Sequence, residues 1–182
     1  MDYGADSYHR FLQGEQAALE ELVVLYSDSL IGFAYCYVKD TAAAEDIMAE
    51  TFASLIVKRK QFKEDAHFKT YLYKIARNKA IDHLRTRSRF VSLGKMENLL
   101  KGASAEYEFF REEQNRRLYA CMQTLPPQYR DVLYLVYFEN FSIQETCGIL
   151  KKNAKQVYNL LARARSALKE ILMKEGVYNE EL

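Results

Sequence analysis

FKTYLYKIARNKAIDHLRTRSR, residues Phe68 to Arg89, carries aromatic, apolar and basic residues at helical rather than strand spacing. At about 100° per residue, Phe68, Tyr71, Leu72, Ile75 and Ala76 fall on one side of a single long helix. Lys74, Arg77, Asn78 and Arg85 fall on the other. The first side is expected to pack and the second to meet phosphates. Arg85, Arg87 and Arg89 carry the basic stripe past the point where the apolar one fades, with only Asp82 against them. Such a stripe is the electrostatic footprint of a nucleic-acid surface. Taken alone it fits an amphipathic helix with a solvated basic face equally well, so other stretches must decide.

The 182 residues of the chain suffice for one ordinary domain or two small ones. A hydrophobic share of 49% with 28% charged residues excludes a disordered chain. Only seven Gly and two Pro punctuate it, and 3.6-residue patterns recur where period-2 alternation does not. The expected fold is all-α: two small helical domains joined by a linker, the second carrying a helix-turn-helix. The first domain is read as residues 1–90, the linker as 91–112 and the second domain as 113–182.

The net charge of +1 conceals a sorting of signs along the chain. Met1 to Glu50 holds ten acids and two bases, and Thr51 to Lys95 holds twelve bases and three acids. Lys151 to Lys174 is a second basic island, with seven bases and one acid. Two basic islands in an otherwise acidic chain imply two contacts with a polyanion and leave acidic surface for a different partner. Cys36, Cys121 and Cys147 are far apart and embedded in apolar patterns, which reads as reduced thiols in a cytoplasmic protein. His9, His67 and His83 lack paired ligand spacing, so neither a metal nor a cofactor is expected. No signal peptide and no run of 18 apolar residues is evident, and no membrane segment is expected.

Before the organising stretch, apolar positions from Ser7 to Val38 repeat every three or four residues, with Gly14 breaking them into two helices. Asp40 or Thr41 offers the N-cap of a further helix running to about Lys60. There Ile47, Met48, Thr51, Phe52 and Leu55 form the buried side, leaving Asp46, Glu50 and Ala53 outward, with Ala49 beside them. Paired acids on one face suit docking to a basic helical partner. Gln61 to His67 is a charged loop, with Asp65 as the expected cap of the helix that follows. After the linker, Leu118, Cys121, Met122 and Leu125 form a packing stripe that Pro126-Pro127 terminates, and Tyr129 to Phe138 reads as one apolar helix.

Ser142-Ile143-Gln144-Glu145 is a capping-box sequence, and Asn153-Ala154-Lys155-Gln156 repeats its logic eleven residues later. A short helix, a tight turn and a second helix at this spacing make a helix-turn-helix. In the second helix Val157, Leu160, Leu161, Ala164, Leu168, Ile171 and Leu172 form the apolar stripe. Lys155, Gln156, Asn159, Arg163 and Ser166 then point outward, with Tyr158 and Arg165 at the flank. By type these are base readers and phosphate donors.

Together these stretches, from about Gln16 to Leu172, resemble a bacterial RNA polymerase sigma factor of the two-domain extracytoplasmic-function class. Asp46-Ile47-Met48-Ala49-Glu50-Thr51-Phe52 is similar to that family's D-x-x-x-E-T-F segment, which docks on the polymerase clamp helices. Tyr71 to Arg85 resembles its promoter-melting, minus-ten-reading helix, and Leu125-Pro126-Pro127-Gln128-Tyr129-Arg130 the opening of its minus-35-reading domain. The resemblance implies that Asp46, Ala49, Glu50 and Ala53 meet core polymerase. It implies that Phe62, Lys63, His67, Lys74, Arg77, Asn78 and Arg85 bind and melt the minus-ten element, Phe62, His67 and Phe68 offering flat side chains to a flipped base. Lys155, Gln156, Tyr158, Asn159, Arg163 and Ser166 would read the minus-35 element. Core RNA polymerase, promoter DNA and an anti-sigma protein are the implied partners, and the function implied is promoter-specific transcription initiation without catalysis. Departures are Ala49 where the family often has Gln, and Ile56 and Tyr71 where it often has Trp. In the helix-turn-helix the usual Gly is replaced by Lys151-Lys152-Asn153, where Asn153 is the residue expected to tolerate a left-handed conformation.

A helix-turn-helix regulator binding an operator without being a sigma subunit is the alternative, but it leaves the first basic island unexplained. A nucleic-acid enzyme would need paired metal-spaced carboxylates, a phosphate loop or a nucleophile with its base, and the sequence offers none of these.

Overall fold

The computed structural model describes residues 3–57, 67–92 and 113–176, and the regular structure among them is helical throughout. The chain divides into two compact units, Met1–Ser104 and Ala105–Leu182.

The first unit holds α1 (Tyr3–Leu12), α2 (Gln16–Val38), α3 (Thr41–Val57) and α4 (Phe68–Ser92). Gly14, at φ +104°, makes the break after α1, a conformation that costs any residue with a Cβ. α2 ends where Lys39 turns left-handed at φ 52°, and Asp40 starts α3 by accepting the Ala43 N–H at 2.9 Å. By length and composition alone α2 would cross a membrane, but half of its apolar window is buried within the protein. Its Leu22, Leu30, Phe33, Ala34 and Cys36 are inaccessible, and α2 is packed against α1, α3 and α4. Each such aliphatic or aromatic side chain contributes about 1.5–3 kcal/mol on burial, so this helix is the centre of the core.

α4 meets that core along Phe68, Leu72, Tyr73, Ala76 and Ala80. The buried stripe is therefore rotated from the one read in the sequence: Tyr73 is wholly inside, while Tyr71 and Ile75 are half-buried. The reason is aromatic, since Tyr73 lies 5.1 Å from the Phe33 ring and Phe68 lies 5.0 Å from Tyr8 and 5.8 Å from Tyr26. α1 closes over this cluster so tightly that a Cβ at Gly4 would overlap Tyr26 and come within 2.8 Å of Phe68. α4 also continues to Ser92, two residues beyond the 1–90 domain end expected from the weakening pattern.

The second unit begins with α5 (Glu113–Gln123), which packs through Tyr119, Cys121 and Met122. Leu118, placed in that stripe by the sequence pattern, is half-buried, and Tyr119 takes the inner position with its ring edge toward Tyr134. Pro126 caps α6 (Pro127–Leu133), with a proline at the first helical position where no N–H is needed. The expected continuous helix to Phe138 widens instead into a π-helical turn, Tyr134–Phe138, which brings those two rings into a stack at 5.3 Å and 10°. Asn140, left-handed at φ 55°, turns the chain into α7 (Ile143–Leu150), and α8 (Ala154–Lys174) follows.

Candidate functional site

Three helix faces carry the residues singled out in the sequence. On α3, Ala44, Ile47, Thr51, Phe52 and Leu55 are buried. Asp46, Ala49, Glu50 and Ala53 are exposed together, as expected, and Val57 at 83% exposure prolongs the same face by a turn. Glu50 stands at the edge of this face nearest α4, where Lys79 Nζ lies 3.1 Å from its Oε2. Asp46 has no ion-pair partner among the described residues.

On α4, Asn78 and Arg85 are exposed and Lys74 is half-buried beside them, so these three share the outer side. Arg85 makes a loose ion pair with Asp82 at 3.5 Å. Arg77 belongs to the flank instead: it is half-buried, and its Nε is shielded from solvent without a hydrogen-bond acceptor among the described residues. Tyr71 is half-buried with its hydroxyl shielded from solvent, and burial pushes its phenol above the ordinary range. Exposed His67 precedes the first turn, its carbonyl accepting the Tyr71 N–H at 3.1 Å. Phe68 cannot offer a flat side chain to a base, because it is fully buried between Tyr8 and Tyr26. Phe62, Lys63 and the expected cap Asp65 lie outside the described residues.

The third face is set by local hydrogen bonds. Ser142 Oγ accepts the Glu145 N–H at 3.2 Å while Glu145 Oε2 accepts the Ser142 N–H at 2.9 Å, starting α7. Asn153 Oδ1 accepts the Gln156 N–H at 2.9 Å and Gln156 Oε1 accepts the Asn153 N–H at 3.0 Å, starting α8. The left-handed residue of the intervening turn is Lys151, at φ 56°, not Asn153, which is extended at φ −80° and ψ 165°. Asn153 serves as the cap of α8, and an N-cap requires extended backbone, so the C-terminal turn of α7 falls to Lys151.

Along α8, Lys155, Gln156, Tyr158, Asn159, Arg163, Arg165 and Ser166 are all exposed, while Val157 and Ala164 are buried. The face is open, yet two of its members are already engaged. Gln156 has its carbonyl oxygen in the cap, so a two-point contact with adenine would cost that bond. Ser166 donates its hydroxyl back to the Ala162 carbonyl at 3.2 Å. Gln128 and Tyr129 from the start of α6, with Lys152, line a groove of about 250 Å³ beside Gln156, Asn159 and Arg163. Spacing within α8 could not reveal Gln128 and Tyr129 as neighbours, and the only sequence signal for them was their place in the Leu125 to Arg130 segment. Arg130, basic in that segment, is not a surface group: it is 3% exposed and donates to the Gln123 and Leu125 carbonyls, both at 3.0 Å.

An acidic exposed helix, a basic helix packed against it and a helix-turn-helix are features this chain shares with known proteins. The family model for sigma-70 region 2 matches residues 22–90, and that for sigma-70 region 4 matches residues 115–168. The RNA polymerase sigma factor CarQ of Myxococcus xanthus is 30% identical over 164 residues, covering 90% of this chain and 94% of that one. The chain belongs to the extracytoplasmic-function sigma factors.

ECF RNA polymerase sigma factor SigM of Bacillus subtilis is 27% identical, covering 89% of this sigma factor and 99% of its own length. In fold, it is similar to CnrH solved with the cytosolic domain of CnrY, at TM-score 0.71 and 21% identity, covering 95% of this chain and 99% of that one. RpoE of Bartonella quintana, solved with the anti-sigma factor NepR, gives TM-score 0.68 at 20% identity, covering 85% of this chain and 96% of that one. As a member of the family, the protein binds core RNA polymerase and directs promoter-specific transcription initiation. The region 2 match accounts for the basic helix that an operator-binding regulator leaves without a role.

Proposed function

We propose that this sigma factor docks on the polymerase clamp helices through the outer face of α3, with Asp46, Ala49, Glu50 and Ala53 in contact. The carrying observation is that two acids and two small residues are exposed together on one helix whose opposite side is buried. Small side chains allow a partner helix to approach closely, and the acids steer a basic one. The minus-ten element is assigned to Lys74, Asn78 and Arg85 on α4, with His67 at its entry and Arg77 on its flank. Phe62 and Lys63 join this group on the family resemblance alone. Lys155, Tyr158, Asn159 and Arg163 on α8 are assigned to the minus-35 element, with Gln156 and Ser166 contributing less because of their internal bonds. Arg and Asn suit guanine and adenine respectively, which supports this reading.

The first domain, expected over residues 1–90, runs to the end of α4 at Ser92, and the linker joins it to the second domain at 113–182. Acting without catalysis, in the cytoplasm, the protein is also held to meet an anti-sigma protein, as RpoE of Bartonella quintana does with NepR. The test is holoenzyme assembly with Asp46→Lys/Glu50→Lys. A loss on the order of 1–3 kcal/mol is expected if both acids meet basic groups in a partly desolvated contact. Unchanged assembly would remove α3 from the interface.

A further inference from the structure

The acid pair on α3 is not symmetric. Asp46 is open, whereas Glu50 is already engaged by Lys79 of α4, at 3.1 Å from Oε2, with side-chain exposures of 62% for the acid and 33% for the base. Glu50 occupies the edge of the face turned toward α4, so Lys79 reaches it without leaving its own helix. The lysine side chain is about two-thirds covered, so less side-chain freedom remains to be lost in forming the pair than for a fully exposed lysine. A basic group arriving from the polymerase therefore finds one carboxylate without an ion-pair partner among the described residues and one that carries a cation of the same sign as itself.

We propose that Lys79 tunes core binding as an internal competitor that occupies Glu50 and lowers the affinity of the free sigma factor for polymerase. This rests on the reading of α3 as the docking face. An exposed pair of this kind is weak, so the competition modulates docking rather than blocking it. Its sign is what distinguishes it. If Lys79 only oriented Glu50 for its partner, removing the lysine would weaken docking, whereas removing a competitor strengthens it. The residue lies on the helix assigned to promoter contact, so the same substitution that lowers the positive charge of α4 should raise affinity for core.

The experiment measures binding of the full-length protein to core polymerase at low ionic strength, comparing the parent with Lys79→Gln, Lys79→Arg, Glu50→Gln and Lys79→Gln/Glu50→Gln. Lys79→Gln is expected to bind about two- to fivefold more tightly, the range set by an exposed ion pair. Lys79→Arg should stay near the parent, and Lys79→Gln should have no effect when Glu50 is already Gln. The gain should vanish near 1 M salt, where screening acts over about 3 Å. Parent-like or weaker binding of Lys79→Gln, with Glu50→Gln weakened, overturns the competitor role and leaves the docking face standing. A gain that persists in the Glu50→Gln background also overturns it. Glu50→Gln binding as the parent does would remove Glu50 from the contact and overturn the inference, whereas the docking face itself falls only if Asp46→Lys/Glu50→Lys also assembles unchanged.

Discussion

α4 and α8 both present basic residues to solvent, but they are held in place by opposite means. α4 is fixed by what it buries: Phe68, Leu72, Tyr73, Ala76 and Ala80 are all essentially inaccessible, and two of them are aromatic rings set among others from α1 and α2. α8 buries only Val157 and Ala164 fully, and its start is defined by two reciprocal hydrogen bonds between Asn153 and Gln156. The difference separates two ways of building an exposed basic helix. On α4 the outward residues share a helix with much of the core of their domain, so a change there acts on stability and binding together. On α8 the outward face carries little of the packing, so most of its residues can change without endangering the fold.

The sharpest way to break this contrast is at Tyr73. Replacing this fully buried ring with Ala should destabilise the first domain by about 3–5 kcal/mol, through lost transfer energy and the cavity left beside Phe33. Calorimetry should then show one unit melting early while the other keeps its transition. A small effect on melting would mean that α4 is not held by its rings.

Next in size are Asn159→Ala and Arg163→Ala on α8. Each should weaken a matched promoter by about 1–3 kcal/mol and relax preference at one position of the upstream element, with melting unchanged because both residues are exposed. Gel-shift or anisotropy titrations of holoenzyme on base-substituted promoters would show it. Equal losses on every sequence would make these phosphate contacts instead.

Much of this architecture was legible because it is local. Both capping boxes are four-residue patterns whose partners are three positions apart, and both form as written. Gly14 and the Pro126-Pro127 pair mark their breaks because each restricts or frees its own backbone. What could not be read depended on residues distant in sequence. Tyr73 faces inward because Phe33 of α2 receives it, and Phe68 is lost as a candidate base contact because Tyr8 and Tyr26 enclose it. The pairing of Glu50 with Lys79 likewise required α3 and α4 to be brought together.

A smaller effect tests whether the caps carry the order of α8. Asn153→Ala removes the acceptor of the Gln156 N–H and should cost about 1 kcal/mol of stability in the second unit. Gln156→Ala removes the reciprocal half, in which its side chain accepts the Asn153 N–H. If Gln156 acts mainly through the cap, its loss should lower thermal stability and weaken all promoter sequences alike. A preference change confined to one base pair, with melting intact, would return it to the base readers.

The smallest predicted change is at the turn between α7 and α8, where two contributions oppose each other. Lys151 adopts φ 56° and ψ 45°, and it and Lys152 both donate their backbone N–H to the Cys147 carbonyl, closing α7. A residue with a Cβ is disfavoured in this region by roughly 1–2 kcal/mol relative to Gly, so Lys151→Gly relieves strain. The same substitution loosens the unfolded chain, which offsets about 0.4–1 kcal/mol of that gain. The net expectation is a stabilisation of about 0.5–1 kcal/mol in the second unit, read as a modest rise in its melting temperature. Lys151 is also exposed, so if it touches a phosphate the variant should lower the salt dependence of promoter binding by about one counterion. A variant that melts later yet binds DNA with an unchanged salt slope would show that Lys151 is a turn residue only. One that melts earlier would show that its side chain holds the turn by contacts that outweigh the strain.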